Sequence, residues 1–276
     1  MIAADGKKIR DLLREEFRKK ILEKKITPKL HIIYVGEDLV ISKFIEYKVS
    51  FGISLGVEVI VHRFKEDSST EKILSVIETL GQEGGGIIVQ LPLPKHIDQK
   101  QVCSAIPSNK DVDVLSPHTK RLFLKGETAF FPPVVGAILK IHEFYQLPFF
   151  RDVKTVLVGD GLLVGEPMRL WFEREHVPFF QILETTPQKE RTFLLQNADI
   201  LISGVGIPNL IQNKDLKNGV IIFDAGTSEF HGEVLGDVEE KAKEQAFFST
   251  PTKGGIGPLT IAILFSNVLS LYDSIS

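Results

Sequence analysis

Between Lys7 and Ile21 the apolar residues Ile9, Leu12, Leu13, Phe17 and Ile21 recur near helical spacing with charge between them, which predicts an amphipathic opening helix. A run rich in β-formers at 31–35 predicts a strand, residues 40–55 a helix, and 57–64 a second strand. A helix over 69–80 then leads through Gly84, Gly85 and Gly86 into the apolar run 87–91. Residues 107–133 are irregular and turn-rich, as at a domain crossing, and a helix follows at 134–145. A second alternating series has strands at 155–158, 179–183, 200–203 and 220–223, with a helix at 164–176. The segment 258–272 is again helical in period, through Ile261, Leu264, Phe265, Val268 and Leu271.

Alternating strands and helices build mostly parallel sheets whose ligands bind beyond the carboxyl ends of the strands. In the first half that rule selects the loop after Val35, the residues from Gln90 to Pro94, and the turn before the next element.

Composition narrows the functional class. A chain of 276 residues with 43% apolar content can bury a core in two modest domains. A net charge of -3 provides no general basic field, so nucleic acid and anionic membrane surfaces are not expected partners, and a small molecule is. With Cys103 as its single cysteine the chain cannot form an internal disulfide or a multi-cysteine zinc site. No metal is expected, and the cytoplasm is the expected compartment. The charge-dense segment from Lys7 to Lys25 does not look like a targeting sequence.

Lys48 lies on the stripe Ile41, Phe44, Ile45, Lys48 and Gly52 of the helix over 40–55. A lysine there either snorkels, pairs with a carboxylate, or has a depressed pKa that suits it to general acid–base work. Gln90 ends a strand that Leu91-Pro92-Leu93-Pro94 cannot continue. Its amide either caps loop backbone or holds a lysine or a substrate amide. In Lys110-Asp111-Val112-Asp113 one carboxylate reads as a surface charge and the other as an acceptor for an aminopyrimidine-like ring.

Gly159-Asp160-Gly161-Leu162-Leu163-Val164-Gly165 joins a strand to a helix, where glycines let backbone amides approach a pyrophosphate. It has one residue more than the usual dinucleotide fingerprint. An acid, Glu184, closes the next strand 25 positions after Gly159 and is placed to bind a ribose hydroxyl. The run from Thr250 to Thr260 carries three glycines between two prolines, which specifies a fixed loop suited to ligand contact or to a structural turn.

Together these segments resemble the methylenetetrahydrofolate dehydrogenase/cyclohydrolase family. The resemblance covers Asp5-Gly6-Lys7, Val35-Gly36, Lys48, Val89-Gln90-Leu91-Pro92-Leu93-Pro94, Lys110-Asp111-Val112-Asp113, the turn from Gly159 to Met168, Asn197-Ala198-Asp199, and Gly254-Gly255-Ile256-Gly257-Pro258. It implies an α/β fold of two domains. Residues 1–120, completed by a C-terminal helix at 258–276 that packs back on them, form the folate-binding catalytic domain. Residues 134–255 form a Rossmann-like dinucleotide-binding domain.

The resemblance further implies catalytic roles for Lys48, Gln90 and Asp113, substrate contacts at Phe44, Leu91, Pro92, Gly255 and Pro258, and cofactor contacts at Gly159, Asp160, Gly161, Gly165, Glu184 and Gly206. The implied reaction moves a hydride from a tetrahydrofolate derivative to NADP or NAD and then hydrolyses the methenyl product, in a homodimer with a cleft between its domains. Two other readings fit the same residues: a related α/β dehydrogenase with another small substrate, and a diverged member with one activity or none.

Several residues depart from the family pattern. Phe44 stands where a tyrosine is usual and keeps the ring without the hydroxyl, while Tyr47 is turned about 100° from Lys48 on a helix. Phe131-Pro132-Pro133-Val134, Thr252 and Lys253 also differ from the usual residues. Asp160 and Glu184 put two acids where a 2′-phosphate would lie, which predicts a bias toward NAD.

Overall fold

The computed structural model describes residues 1–230 and 233–273. Strand β1 (Ile2–Ala3) and helix α1 (Gly6–Lys24) open the chain, followed by β2 (Lys29–Val35), α2 (Leu39–Leu55), β3 (Glu58–Phe64), α3 (Thr70–Gln82) and β4 (Gly86–Val89). Helices α4 (Gln99–Ser104), α5 (Pro117–Lys125) and α6 (Pro133–Phe144) come next. The second series is β5 (Thr155–Val158), α7 (Gly165–Arg174), β6 (Phe180–Ile182), α8 (Gln188–Gln196), β7 (Ile200–Ser203) and β8 (Ile221–Asp224). The antiparallel pair β9 (Ser228–Phe230) and β10 (Glu233–Leu235), then α9 (Glu240–Glu244), β11 (Phe248–Ser249) and α10 (Ile256–Ser270), complete the order.

The chain divides into two compact units: Asp11–Pro133 with Ile261–Ser276, and Met1–Arg10 with Val134–Thr260. The N-terminal boundary of these compact units differs from the expected domain boundary. Ile2 and Ala3 pair in parallel with Phe248 and Ser249, so the first ten residues belong with the second series of strands. A two-residue edge strand has no periodicity to reveal it. Residues 274–276 of the expected C-terminal segment lie outside the described residues.

In the unit built on Asp11–Pro133, the parallel sheet has the order β3-β2-β4. The chain leaves β2 for β3 on one side and returns to β4 on the other, so the carboxyl ends of β2 and β4 flank a topological switch point. Ile33, Val35, Ile73, Ile77, Ile87, Val89 and Val102 pack into one cluster, which explains why the strands read as continuous apolar runs. From the end of the chain, α10 adds Phe265 against Phe51 and Asn267 against the backbone of Val112 and Phe131.

Residues 107–133 are less irregular than their pattern suggests, because α5 lies inside them. It is too short to show apolar periodicity, but Ser116 caps it by accepting from Thr119 N–H, Pro117 occupies its first turn, and Gly126 closes it in the left-handed conformation at φ 72°.

The six-stranded sheet of the other unit has the order β1-β11-β8-β7-β5-β6 and is parallel throughout. Its switch point lies between β5 and β7. Helix α8, which the pattern did not predict, supplies the crossover that parallel β6 and β7 require and buries only Leu194 and Leu195. Asn197-Ala198-Asp199 proves structural: Ala198 is fully buried, and the Asp199 carboxylate accepts from Lys154 N–H at 2.7 Å and pairs with Lys217.

Candidate active site

Helix α2 starts where the Asp38 carboxylate accepts from the N–H groups of Val40 and Ile41, and ends at Gly56 in the left-handed conformation. Its buried face carries Ile45, Phe51, Gly52 and Leu55. Lys48 stands on the flank of that face, half-buried. Phe44, one helical turn earlier, is not core but 48% exposed, and Tyr47 is exposed as well. The stripe read from the sequence is therefore narrower than expected and leaves an exposed aromatic ring beside the lysine.

Gln90 follows β4 and is fixed by its backbone, which donates to Ile33 O at 2.9 Å. Its side chain has two partners. Lys48 Nζ donates to Gln90 Oε1 at 2.7 Å, and Gln90 Nε2 donates to Leu91 O at 2.8 Å. Both alternatives read for this glutamine are thus realised together. Leu91 is half-buried, Pro92 is exposed, and the peptide bond between them is cis.

Asp113 is brought to the same site by an extension of the sheet. Ile87 forms a parallel bridge with Asp111 and donates to Lys110 O at 2.8 Å. The two carboxylates of this turn then part company. Asp111, in contrast to the expected surface charge, is fully buried and accepts from the N–H groups of Leu115 and Ser116. Asp113 is left half-buried. Val114 between these groups has φ 55°, a strained conformation for a β-branched residue, which the buried turn around Asp111 holds in place.

Burial of its ammonium end lowers the pKa of Lys48 below the ordinary lysine value, while the charge of Asp113 pulls it the other way. Burial likewise pushes the Asp113 carboxyl up to about 6, opposed by Lys48 and assisted by Asp111. The site therefore holds a lysine that gives up its proton more readily than usual and a carboxylate that is mostly ionised at neutral pH. A lysine so tuned can move protons, and a carboxylate so placed can accept a pair of N–H donors.

The second unit carries the glycine-rich loops. Gly159 leaves β5 at φ 92°, and a Cβ there would lie 2.9 Å from Val205 Cγ2, so the loops after β5 and β7 meet at the switch point. Gly161 O receives the N–H groups of Val164 and Glu166, which closes the turn onto α7, whose first residue is Gly165. Asp160 and Gly161 are exposed in this loop, Gly206 is exposed at φ 79°, and Glu184 is exposed two residues past β6. The close-approach backbone at a helix N-terminus fits a pyrophosphate, and the acid past β6 fits a ribose.

Gly255 is buried and Pro258 half-buried at the start of α10. Gly6 N–H donates to Gly254 O at 2.9 Å, and a Cβ on Gly6 would run into Gly255 O. The Asp5-Gly6-Lys7 segment thus braces the Gly254-Gly255 loop.

Sequence reasoning missed the carboxylates behind these loops. Fully buried Asp237 accepts from the N–H groups of Val205, Gly206 and Ile207 and from Ser203 Oγ. Asp224 accepts from the N–H groups of Gly226, Asp237 and Val238 and pairs with Lys243 at 3.0 Å. An acid ending the apolar run Ile221–Asp224 was the available signal for the latter.

Comparison with known proteins agrees with this geometry. Residues 4–113 match the model of the tetrahydrofolate dehydrogenase/cyclohydrolase catalytic domain, and residues 132–275 match that of the corresponding NAD(P)-binding domain. The bifunctional protein FolD of Nautilia profundicola is 32% identical over 276 residues, covering 98% of this chain and 96% of the relative. The structure of the Campylobacter jejuni bifunctional enzyme FolD, a methylenetetrahydrofolate dehydrogenase/cyclohydrolase, superposes with a TM-score of 0.94 at 28% identity and full coverage of both chains. That of the Trypanosoma brucei enzyme, complexed with NADP and an inhibitor, has a TM-score of 0.91 at 25% identity and covers 98% of this chain and 97% of that one. With a lysine–glutamine–aspartate site in one unit, glycine-rich loops at a parallel switch point in the other, and a family match over both, the chain belongs to the tetrahydrofolate dehydrogenase/cyclohydrolase family.

Proposed function

We propose that this chain, an oxidoreductase and hydrolase of tetrahydrofolate metabolism, oxidises 5,10-methylenetetrahydrofolate with NAD(P) and hydrolyses the methenyl product to 10-formyltetrahydrofolate, using Lys48, Gln90 and Asp113. The observation that carries this proposal is the hydrogen bond from Lys48 Nζ to Gln90 Oε1, made where burial lowers the lysine's pKa.

Asp113 accepts two N–H donors of the pterin ring and orients it, and the exposed ring of Phe44 stacks on it. Leu91, Pro92, Gly255 and Pro258 line the substrate. In the hydrolytic step water adds to the methenyl carbon and passes a proton to Lys48. The proton returns to the ring nitrogen as the C–N bond breaks, and the carbinol proton leaves to solvent. Gln90 keeps the lysine in line for both transfers.

Gly159, Asp160, Gly161, Gly165, Glu184 and Gly206 hold the dinucleotide, which when bound supplies the hydride acceptor. The exposed acids Asp160 and Glu184 favour NAD, because a 2′-phosphate would face two like charges. The family likeness supports a homodimer in the cytoplasm.

Turnover of methylenetetrahydrofolate with NAD and NADP in parallel, with reduced cofactor and methenyl product followed separately, tests this proposal. Turnover favouring NAD supports the activity and the preference. Turnover with NADP alone removes the preference, and none with either removes the dehydrogenase.

A further inference from the structure

Among the described residues of the dinucleotide-binding unit, the most enclosed cation lies outside the residues assigned above. The Lys243 side chain is 3% exposed and its partner Asp224 is 0% exposed. A charge so buried is tolerated only when paired and hydrogen-bonded. Lys243 Nζ meets that condition with three partners: Asp224 Oδ2 at 3.0 Å, Glu240 Oε1 at 2.9 Å and Thr252 Oγ1 at 2.9 Å. Thr252 Oγ1 in turn donates to Glu240 Oε1 at 3.2 Å. Three donors and three acceptors saturate the ammonium.

Those partners come from three places. Asp224 ends β8, Glu240 opens α9, and Thr252 lies two residues before Gly254. Asp224 also receives Asp237 N–H at 3.1 Å, and the Asp237 carboxylate holds the N–H groups of Val205, Gly206 and Ile207. One ammonium therefore anchors the loop entering α10 directly and the loop after β7 through two carboxylates. A valine at position 252 could not accept this hydrogen bond.

We propose that Lys243 is a positioning residue for the reaction, setting the Gly254-Gly255 loop through Thr252 and the Val205–Ile207 loop through Asp224. This rests on the proposed placement of both loops at substrate and dinucleotide.

The test compares steady-state oxidation of methylenetetrahydrofolate by Thr252→Val, Thr252→Ser, Lys243→Met, the Thr252→Val/Lys243→Met double variant and Gly255→Ala, with melting temperatures alongside. Thr252→Val is expected to lower kcat/KM about tenfold, as a slight misplacement of binding groups does. Thr252→Ser, which keeps the hydroxyl, is expected to restore it to within about twofold. Lys243→Met should lose at least as much, and the double variant should lose no more than Lys243→Met alone, since both act through one contact. Parental kinetics in Thr252→Val and Lys243→Met, with turnover lost in Gly255→Ala, would overturn the role of Lys243 while keeping the loop in the site. Parental turnover in folded Gly255→Ala would overturn the placement of the loop itself, and the positioning role with it. If Lys243→Met fails to fold, the valine–serine comparison at position 252 decides.

Discussion

Lys48 Nζ donates to Gln90 Oε1 at 2.7 Å across 42 positions of sequence, and this contact joins helix α2 to the end of strand β4. It gives a buried-end lysine a neutral acceptor in place of a full counter-ion, with Asp113 acting only through space. Such a lysine is held in position without being locked in its charged form.

Lys48→Met removes the proton carrier and keeps the volume. Hydrolysis of methenyltetrahydrofolate, followed by its absorbance, is expected to fall by about 10²-fold or more. Folate affinity measured by fluorescence titration should change far less. Hydrolysis at the parental rate would sink the assignment of Lys48.

Replacing Gln90 with methionine deletes the acceptor that favours charged Lys48, so the lysine pKa should drop further. The acid limb of the kcat–pH profile of Gln90→Met is expected to move to lower pH, with kcat reduced. An unshifted limb with parental kcat would leave Gln90 only its contact with Leu91.

The Asp113 carboxyl, raised to about 6 by burial, has a definite sign in the stability profile. Because the folded chain holds this proton more tightly than the unfolded one, this residue's contribution to stability falls as pH rises through the window from about 4 to 6. Asp113→Asn is expected to flatten that part of the denaturation profile. It should also abolish the rise in folate affinity that accompanies ionisation of the parent's carboxyl. A variant whose profile matches the parent's between these pH values would contradict the raised pKa.

If Asp160 and Glu184 exclude a 2′-phosphate, Asp160→Asn with Glu184→Gln should raise kcat/KM for NADP roughly tenfold, as loss of two screened repulsions implies, with little change for NAD. Equal changes for both dinucleotides would argue against charge as the discriminator.

Gly6→Ala tests the brace on the Gly254-Gly255 loop. The added Cβ would meet Gly255 O, a backbone atom that cannot rotate away. The variant is expected to lose about 1–3 kcal/mol in chemical denaturation. Parental stability would mean that the N-terminal segment can shift without cost.

The paired α/β series, the strand-end position of Gln90 and the glycine-rich turn at Gly159 were legible in the sequence because each is local. Apolar runs of four residues mark buried parallel strands, and glycine and proline mark where those strands stop. The site lysine was legible as a polar residue on an apolar stripe, although the stripe's width was not, since a period cannot show how much of a helix face a neighbour covers.

Tertiary structure decided the rest, for reasons that act over long sequence separations. It sent Ile2 and Ala3 to pair with Phe248 and Ser249, and brought Asn267 back to Val112. It gave Asp111 to the buried turn and left Asp113 for the site, because Asp111 sits at the sheet bridge and its carboxylate finds two backbone N–H groups there. It also turned Asp224, Asp237 and Lys243 into supports for the loops after β7 and before α10. A buried charge must find its partners wherever the fold supplies them, so the sequence determined which chemical groups were available, and packing alone decided which of them met.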